Sequence, residues 1–327
     1  MKKLALFIVT ILLIAVLLWQ ANLQDVIGVL EEVDPLLILG VCLLQIITML
    51  IINFQWYKLA AIIGEKPDFK QLLSMNMVGT FVESITPSAK AGGEVTKIYL
   101  LKSQLGFSAG EATVLVTLQK IISLFTFLLL NTMAVAAFLC MIHCESLQLQ
   151  VLLLSTLFLV LWIASLVVFL IYPNKVKKIL KVLPIKEGWR IKLHDFIGTI
   201  ETTLQSVMKD KKKLLPQFLL SLCIWGLFAV KAYLIARGLK IQLPFISIAV
   251  VTYLTYMIGM LPLLPGGIGT FEGGMVFFLL PLGVPVYQAI AFALTLRFVT
   301  FWFVFLISGG WLGFKEIKKI RFKWKTA

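Results

Sequence analysis

The sequence predicts an all-α polytopic membrane protein with about eight transmembrane crossings. Of the 327 residues, 60% are hydrophobic and only 14% are charged, whereas soluble domains carry about a quarter charged residues. The apolar residues also occur in long runs, which a fold surrounded by water could not bury. Two clusters of proline and glycine interrupt short apolar segments, which predicts two broken, short or re-entrant helices inside the membrane.

Seven stretches are long enough to cross a bilayer, which takes about 20 apolar residues, or fewer where the bilayer thins. The first follows Lys2 and Lys3 and is interpreted as a span and not as a cleaved signal peptide, because no clear cleavage site closes it. The stretches are Leu4–Trp19, Leu36–Phe54, Ala112–Leu139, Val151–Tyr172, Leu214–Ala236, Phe245–Leu263 and Ala289–Trp311.

The distribution of basic residues predicts the orientation in the cell membrane. Segment 173–213 carries eleven basic residues against four acids, and the tail 314–327 is also basic, so both are expected in the cytoplasm together with the N-terminus. The short segment Met275–Leu282 then supplies the eighth crossing that this orientation requires. We therefore predict a single membrane domain of two halves, 1–172 and 214–313, joined by an amphipathic cytoplasmic connector on anionic lipid.

The two halves share a spacing of residues that predicts an internal two-fold repeat. Pro87 is followed seven residues later by Glu94, and Pro265 is followed seven residues later by Glu272. Farther along, a glycine precedes a cation by fourteen residues in each half, ending at Lys120 and Arg297. Paired breaks at corresponding positions are typical of the binding site of a transporter. The predicted break residues are Pro87, Gly92, Gly93, Pro265, Gly266, Gly267 and Gly269.

Several charged residues are expected at membrane depth, where a lone Lys or Arg costs about 2.5–3.5 kcal/mol or more. Their natural partners are nearby carboxylates or the phosphate of a bound lipid, and a phosphate suits the free N–H groups at a helix break. The predicted substrate-binding residues are Lys90, Glu94, Lys97, Lys120, Lys231, Glu272 and Arg297.

Each of these residues also has a purely structural interpretation. The pairs Glu94–Lys120 and Glu272–Arg297 could lock helices together without a ligand. Lys231, near the end of its span, could extend its ammonium to the membrane surface. Lys90 and Lys97 could mark the cytoplasmic face at head-group level.

The aromatic residues around Trp56 and Phe301 suggest an interfacial belt. Gln119 suggests a polar contact between helices.

Two motifs resemble those of a known family. The segments Thr86–Glu94, TPSAKAGGE, and Leu263–Glu272, LLPGGIGTFE, are similar to the lysylphosphatidylglycerol synthase transmembrane, or flippase-like, family, and the resemblance extends over essentially the whole chain. Members of this family resemble the half of bifunctional enzymes that moves aminoacylated phosphatidylglycerol to the outer leaflet. The chain departs from the family pattern at Gln119-Lys120, where a Glu-Arg pair is common, and at Lys97, often Arg. A paired role for position 119 is thereby in doubt.

The resemblance implies a transporter that moves an anionic phospholipid or a polyprenyl-phosphate-linked head group between leaflets, and it implies no aminoacylating enzyme. A membrane-embedded transferase or hydrolase acting on a lipid phosphate, with Glu94 or Glu272 as general base, is one alternative. A non-transporting membrane partner of a glycosyltransferase or lipid synthase is another. We expect no cofactor, no metal site and no nucleic-acid partner, because the basic residues lie at membrane exits and only two histidines occur.

Overall fold

The structure, a computed structural model, describes residues 23–86, 91–142, 146–171, 198, 201–203, 211–261 and 267–325. Across these residues the regular structure is helical and contains no strand. Four helical segments are long and apolar enough to cross a membrane, namely Pro35–Ile62, Ala109–Met141, Leu214–Gly238 and Val286–Phe314. The predicted all-α membrane class is thus confirmed. The count of eight crossings stays a prediction, and Leu4–Trp19 and most of the connector lie outside the described residues.

The described helices are numbered in chain order. Short 3-10 turns cover Lys211–Lys213 and Leu280–Leu282, and a π-type turn covers Phe298–Trp302. The helices are α1 (Leu23–Glu31), α2 (Pro35–Ile62), α3 (Phe69–Ile85), α4 (Ala91–Leu105), α5 (Ala109–Met141), α6 (Ser146–Ile171), α7 (Leu214–Gly238), α8 (Phe245–Gly259), α9 (Thr270–Leu279), α10 (Val286–Arg297) and α11 (Phe303–Lys325).

Polar caps fix where the helices of the first half begin. Asp34 and Asp68 precede α2 and α3, and their carboxylates accept hydrogen bonds from backbone N–H groups of the first turn. Ser108 and Glu111 form a reciprocal capping box at the start of α5. These caps satisfy N–H groups that have no partner within the helix, and they define the starts of α2, α3 and α5.

Buried apolar residues form two clusters, a smaller one within the first half and a larger one to which both halves contribute. The first is built on α2, α3 and α4, with Trp56, Leu72 and Leu101 at its centre. The second is larger and centres on α8, α9 and α10, with Phe278 and Phe292 fully buried. Helix α5 contributes to both clusters, and α2 packs against α7. Residues of both broken helix pairs, α3 with α4 and α8 with α9, line one interior cavity.

The same order of helices occurs twice along the described chain. A long helix, two shorter helices around a break and a further helix appear as α2 to α5 and again as α7 to α10. Gly106 and Gly283, which the predicted repeat aligned, both have positive φ, 81° and 80°, just before the fourth helix. This order agrees with an internal repeat, which itself stays a prediction.

Glycines permit the close approach of α3 and α4. A Cβ atom at Gly93 would lie 2.7 Å from the carbonyl oxygen of Gly79 and 2.7 Å from Cβ of Glu83. We predict that Gly93→Ala lowers the melting temperature of the purified protein, because such overpacking costs about 1–3 kcal/mol. Gly226→Ala is the matched control, since a Cβ there meets no atom within 4 Å. Equal melting temperatures for the two variants would contradict the close helix crossing.

Candidate functional site: a charged cavity between the broken helix pairs

A cavity of about 330 Å³ lies between the two broken helix pairs. Thr86 and Gly267, which border the two breaks, both line it. Irregular backbone at membrane depth is tolerated only where it is buried or faces a polar cavity, and the residues that border the two breaks face such a cavity. The described part of its wall carries five charged side chains, namely Glu83, Glu94, Lys97, Lys120 and Arg297.

The charges of the first half form one connected cluster. Glu94 Oε1 lies 3.2 Å from Lys120 Nζ and 3.5 Å from Lys97 Nζ. Lys97 Nζ is in turn 4.0 Å from Glu83 Oε2. The predicted Glu94–Lys120 pair is therefore present, and Glu94 is shared between two ammonium groups. Its second oxygen, Oε2, is buried and accepts no hydrogen bond from a described residue.

Beside the cavity, the described residues of the second half form one ion pair. Glu272 Oε1 lies 3.2 Å from Arg297 Nε, and Glu272 Oε2 accepts a hydrogen bond of 2.7 Å from the backbone N–H of Gly269. The carboxylate is thus fixed at the start of α9, while Arg297 ends α10 directly before the π-type turn. The predicted Glu272–Arg297 pair is present. Such π-type turns often occur at functional sites.

Each cation of the cavity wall also faces an aromatic ring. Lys97 lies 5.3 Å from the ring centre of Trp56, and Lys120 lies 5.7 Å from that of Trp162. Arg297 lies between Phe271 and Phe301, at 5.2 and 4.7 Å. The interfacial interpretation of Trp56 is wrong, because its side chain is 1% exposed and lines the cavity. A ring face within about 6 Å attracts a cation electrostatically, in addition to the attraction of its carboxylate.

Lys231 is buried deep between α7 and α2. Its side chain is 0% exposed, and its ammonium donates hydrogen bonds to Gln45 Oε1 and, at 3.2 Å, to Thr48 Oγ1. The ring of Phe228 lies 4.0 Å from it. The alternative interpretation, in which Lys231 extends to the membrane surface, is wrong, because neutral acceptors within the bundle hold its side chain in place.

The structure refines where the predicted break residues lie. Glu94 and Glu272, which end the seven-residue spacing from each proline, both belong to the first turn of the helix that follows the break. Gly92 and Gly93 are likewise helical, since α4 already begins at Ala91. Gly267 and Gly269 do lie in a break, and both have positive φ, 68° and 82°. Lys90, Pro87, Pro265 and Gly266 lie outside the described residues.

Sequence reasoning missed several neutral polar residues around the cavity. Gln45 and Asn76 line it, and Asn76 donates a hydrogen bond to Asn53 inside the first half. Gln119 donates to Gln55 at 3.3 Å, which confirms its expected polar contact between helices. Gln and Asn within apolar helices require a hydrogen-bond partner, so their occurrence there could have indicated a polar interior.

The comparisons with known proteins agree with a membrane assignment. Residues 3–308 match the family model of the lysylphosphatidylglycerol synthase transmembrane region. A UPF0104 membrane protein of Pyrococcus horikoshii is 26% identical, with 94% of this chain and 96% of the relative covered. UPF0104 membrane proteins of Methanothermobacter thermautotrophicus and Methanocaldococcus jannaschii are each 24% identical; the alignments cover 93% and 92% of this chain and 92% and 91% of the relatives.

Proposed function

Since the chain belongs to the lysylphosphatidylglycerol synthase transmembrane-region family, we propose that it is a transporter and no enzyme, moving an anionic phospholipid or a polyprenyl-phosphate-linked head group between leaflets. The observation that carries the proposal is the pair of cations, Lys120 and Arg297, each 3.2 Å from a carboxylate beside one shared cavity. One cation comes from each half of the chain. A phosphate group in the cavity would meet both.

The mechanism is an exchange of partners at the two cations. In the unliganded protein, Glu94 and Glu272 neutralise Lys120 and Arg297, because a bare charge in low dielectric is costly. A lipid phosphate entering the cavity replaces a carboxylate as partner, and Arg297 offers it a bidentate contact that a lysine cannot. When the lipid leaves on the other side, the carboxylates take back their cations. The head group thus crosses without an unpaired charge.

Lys97 assists this exchange in the first half. It lies within 3.5 Å of Glu94 and 4.0 Å of Glu83, so it can hold either carboxylate. When Lys120 turns to a phosphate, Glu94 therefore keeps one ammonium partner. Lys90, beside the same break, remains a proposed contact of the head group.

Reconstitution tests the function. The purified protein is placed in liposomes that carry fluorescent anionic phospholipid or polyprenyl phosphate, and the label accessible in the outer leaflet is measured over time. We expect the protein to speed redistribution of at least one of these lipids over protein-free liposomes. No acceleration for any of them would contradict the proposal, and conversion of the lipid to a new compound would favour a transferase or hydrolase.

The proposed orientation places both termini and the connector 173–213 in the cytoplasm of a cell whose plasma membrane holds the protein. A single cysteine at Lys192 or Lys323, in a background without the native cysteines, should resist a membrane-impermeant thiol reagent added to intact cells. A cysteine at Gln24, in the predicted outer loop, is the matched control and should react. Labelling at Lys192 or Lys323 in intact cells would overturn the orientation.

A further inference from the structure

Two short chains of hydrogen-bonded side-chain amides lead from backbone carbonyls to the cavity wall. In the first, Asn53 Nδ2 donates to the carbonyl oxygen of Phe69 at 3.1 Å, and Asn76 Nδ2 donates to Asn53 Oδ1 at 2.9 Å. A backbone carbonyl can only accept a hydrogen bond, so Asn53 presents its amino group to Phe69 and its oxygen to Asn76. Asn76 must then donate to Asn53, and the other end of its amide is the oxygen Oδ1.

The second chain has the same direction. Gln55 Nε2 donates to the backbone carbonyl oxygen of Gln217 at 2.9 Å, and Gln119 Nε2 donates to Gln55 Oε1 at 3.3 Å. The carbonyl of Gln217 therefore fixes the orientation of both amides, and the outer end of Gln119 is its oxygen Oε1. Asn76 and Gln119 both line the cavity, so each chain ends at the cavity wall with an oxygen that can only accept.

The described residues supply no donor to either terminal oxygen. Asn76 is 9% exposed, and its Oδ1 is buried and accepts no hydrogen bond from a described residue. Gln119 makes one hydrogen bond within the described part of the chain, the one that it donates to Gln55. A buried amide oxygen without a donor is costly, so both oxygens call for a donor from the cavity.

Two hydroxyl groups add further acceptors to the same wall. Ser84 Oγ donates its hydrogen to the carbonyl oxygen of Thr80 at 2.9 Å, and Thr86 Oγ1 donates to that of Val82 at 2.8 Å. Ser84 and Thr86 line the cavity, and with their hydrogens bound to the backbone only the lone pairs of their oxygens are left for a ligand. The first-half wall thus presents neutral acceptors from α3, α5 and the end of α3.

A phosphodiester cannot satisfy these acceptors, because it carries no hydrogen-bond donor. The wall must therefore recognise another part of the head group. A ligand ammonium would require a charged partner in a buried site, and the Glu94 carboxylate is already shared by Lys97 and Lys120. The donor that fits neutral oxygens is a neutral hydroxyl group.

We propose that Asn76 and Gln119 form a hydroxyl-binding subsite, separate from the two ion pairs, that selects head groups bearing free hydroxyls, such as a polyol or a sugar. Asn53 and Gln55 are positioning residues, since each fixes the amide in front of it with the oxygen outward. The cations bind the phosphate and the amide oxygens bind the hydroxyls of the same head group. This inference rests on the proposed function, because it assumes that the cavity holds a lipid head group.

A binding experiment with full-length protein in detergent tests the subsite separately from transport. Trp56, Trp162 and Trp225 line the cavity, so intrinsic tryptophan fluorescence reports its occupation. The two probes are dihexanoyl phosphatidylglycerol and dihexanoyl phosphatidylpropanol, which have the same tails, phosphate charge and carbon skeleton and differ only in the two head-group hydroxyls. We expect the wild type to bind phosphatidylglycerol about tenfold more tightly, the effect of two neutral hydrogen bonds.

The decisive variant is Gln119→Met, which keeps the length of the side chain and removes its oxygen. We expect the preference for phosphatidylglycerol to fall to about threefold, while phosphatidylpropanol binds as it does to the wild type. A variant that only disturbs the packing would weaken both probes alike. Gln71→Met makes the same change at an exposed position of α3 and should keep the wild-type preference.

Two double variants keep the test independent of folding. Gln55→Met with Gln119→Met removes one whole chain of amides, and Asn53→Leu with Asn76→Leu removes the other, so neither leaves a buried amide without its partner. Each is expected to fold and to lower the preference for phosphatidylglycerol by about threefold. Melting temperatures and size-exclusion profiles establish folding before binding is compared.

The outcomes separate the subsite from the proposed function. Equal binding of the two probes by the wild type, or an unchanged preference in folded Gln119→Met, would overturn the hydroxyl subsite and leave the proposed function intact. Tighter binding of dihexanoyl phosphatidylethanolamine than of phosphatidylglycerol would also overturn it, in favour of an ammonium. Binding of neither probe would overturn the inference as well, and the liposome measurement then shows whether the proposed function fails with it.

Discussion

Arg297→Ala is expected to abolish lipid transport in liposomes. Arg297 is the only cation of the second half that pairs with a carboxylate beside the cavity in the described structure, and no neighbouring lysine can replace its bidentate contact with phosphate. A bidentate contact comprises two hydrogen bonds to a charged group, each worth about 1.5–3 kcal/mol, so its loss corresponds to a decrease of at least about 100-fold in the transport rate. Arg297→Lys keeps the positive charge but loses the planar guanidinium that makes the bidentate contact. Its transport rate is therefore expected to fall without reaching zero.

Arg237→Ala is the matched control, because Arg237 is exposed at the end of α7. It should transport at the rate of the wild type. Size-exclusion profiles and melting temperatures establish that each variant is folded before its rate is compared. Wild-type transport by folded Arg297→Ala would remove this residue from the mechanism.

Glu94→Gln is expected to tighten the binding of anionic lipid while transport slows by about tenfold or more. Glu94 is shared by Lys97 and Lys120, so the neutral amide leaves Lys97 with Glu83 and leaves Lys120 with no described carboxylate within ion-pair distance. A phosphate then binds without displacing a charged competitor. It also leaves more slowly, because no carboxylate takes back Lys120. The measurements are tryptophan fluorescence for binding and liposome redistribution for transport.

Glu32→Gln is the control for this change. Glu32 forms an exposed ion pair of 2.7 Å with Lys240, and such surface pairs contribute little, so both binding and transport should stay at wild-type levels. The opposite signs expected for binding and transport distinguish partner exchange from a structural ion pair. Weaker lipid binding by folded Glu94→Gln would contradict the exchange.

Much of the candidate site could be predicted because charges in apolar helices require partners. From Leu214 to the end of the chain the only acids are Glu272 and Glu316, which left Glu272 as the one partner at depth for Arg297, and the structure joins the two. The Glu94–Lys120 pair followed from the same requirement. The class of fold followed from the length and composition of the apolar stretches.

The partners of Lys231 could not be predicted, because they are neutral and distant in the chain. Gln45 and Thr48 lie on α2, more than 180 residues away, and nothing in their local sequence indicates a cation. Trp56 was misassigned for a related reason. An aromatic residue two positions before Lys58 resembles a membrane-interface pattern, and only the packing of α2 against α4 shows that its ring faces Lys97.

The role of Gly92 and Gly93 was ambiguous for a different reason. Glycine beside proline is typical of a chain break, but glycine also permits two helices to approach closely, and the sequence does not distinguish the two uses. In the structure Gly93 belongs to the first turn of α4 and contacts α3. Gly267 and Gly269 form a chain break, because both have positive φ before α9.

Liposome transport by the double variant Arg297→Met with Glu272→Leu tests the central claim most directly. Replacing a buried ion pair by apolar residues of similar volume is often neutral or stabilising, so this variant is expected to insert, fold and remain monodisperse. Partner exchange requires the charges themselves. We therefore predict a folded protein whose transport rate equals that of protein-free liposomes. A folded double variant with wild-type transport would contradict the account and assign the Glu272–Arg297 pair a structural role only.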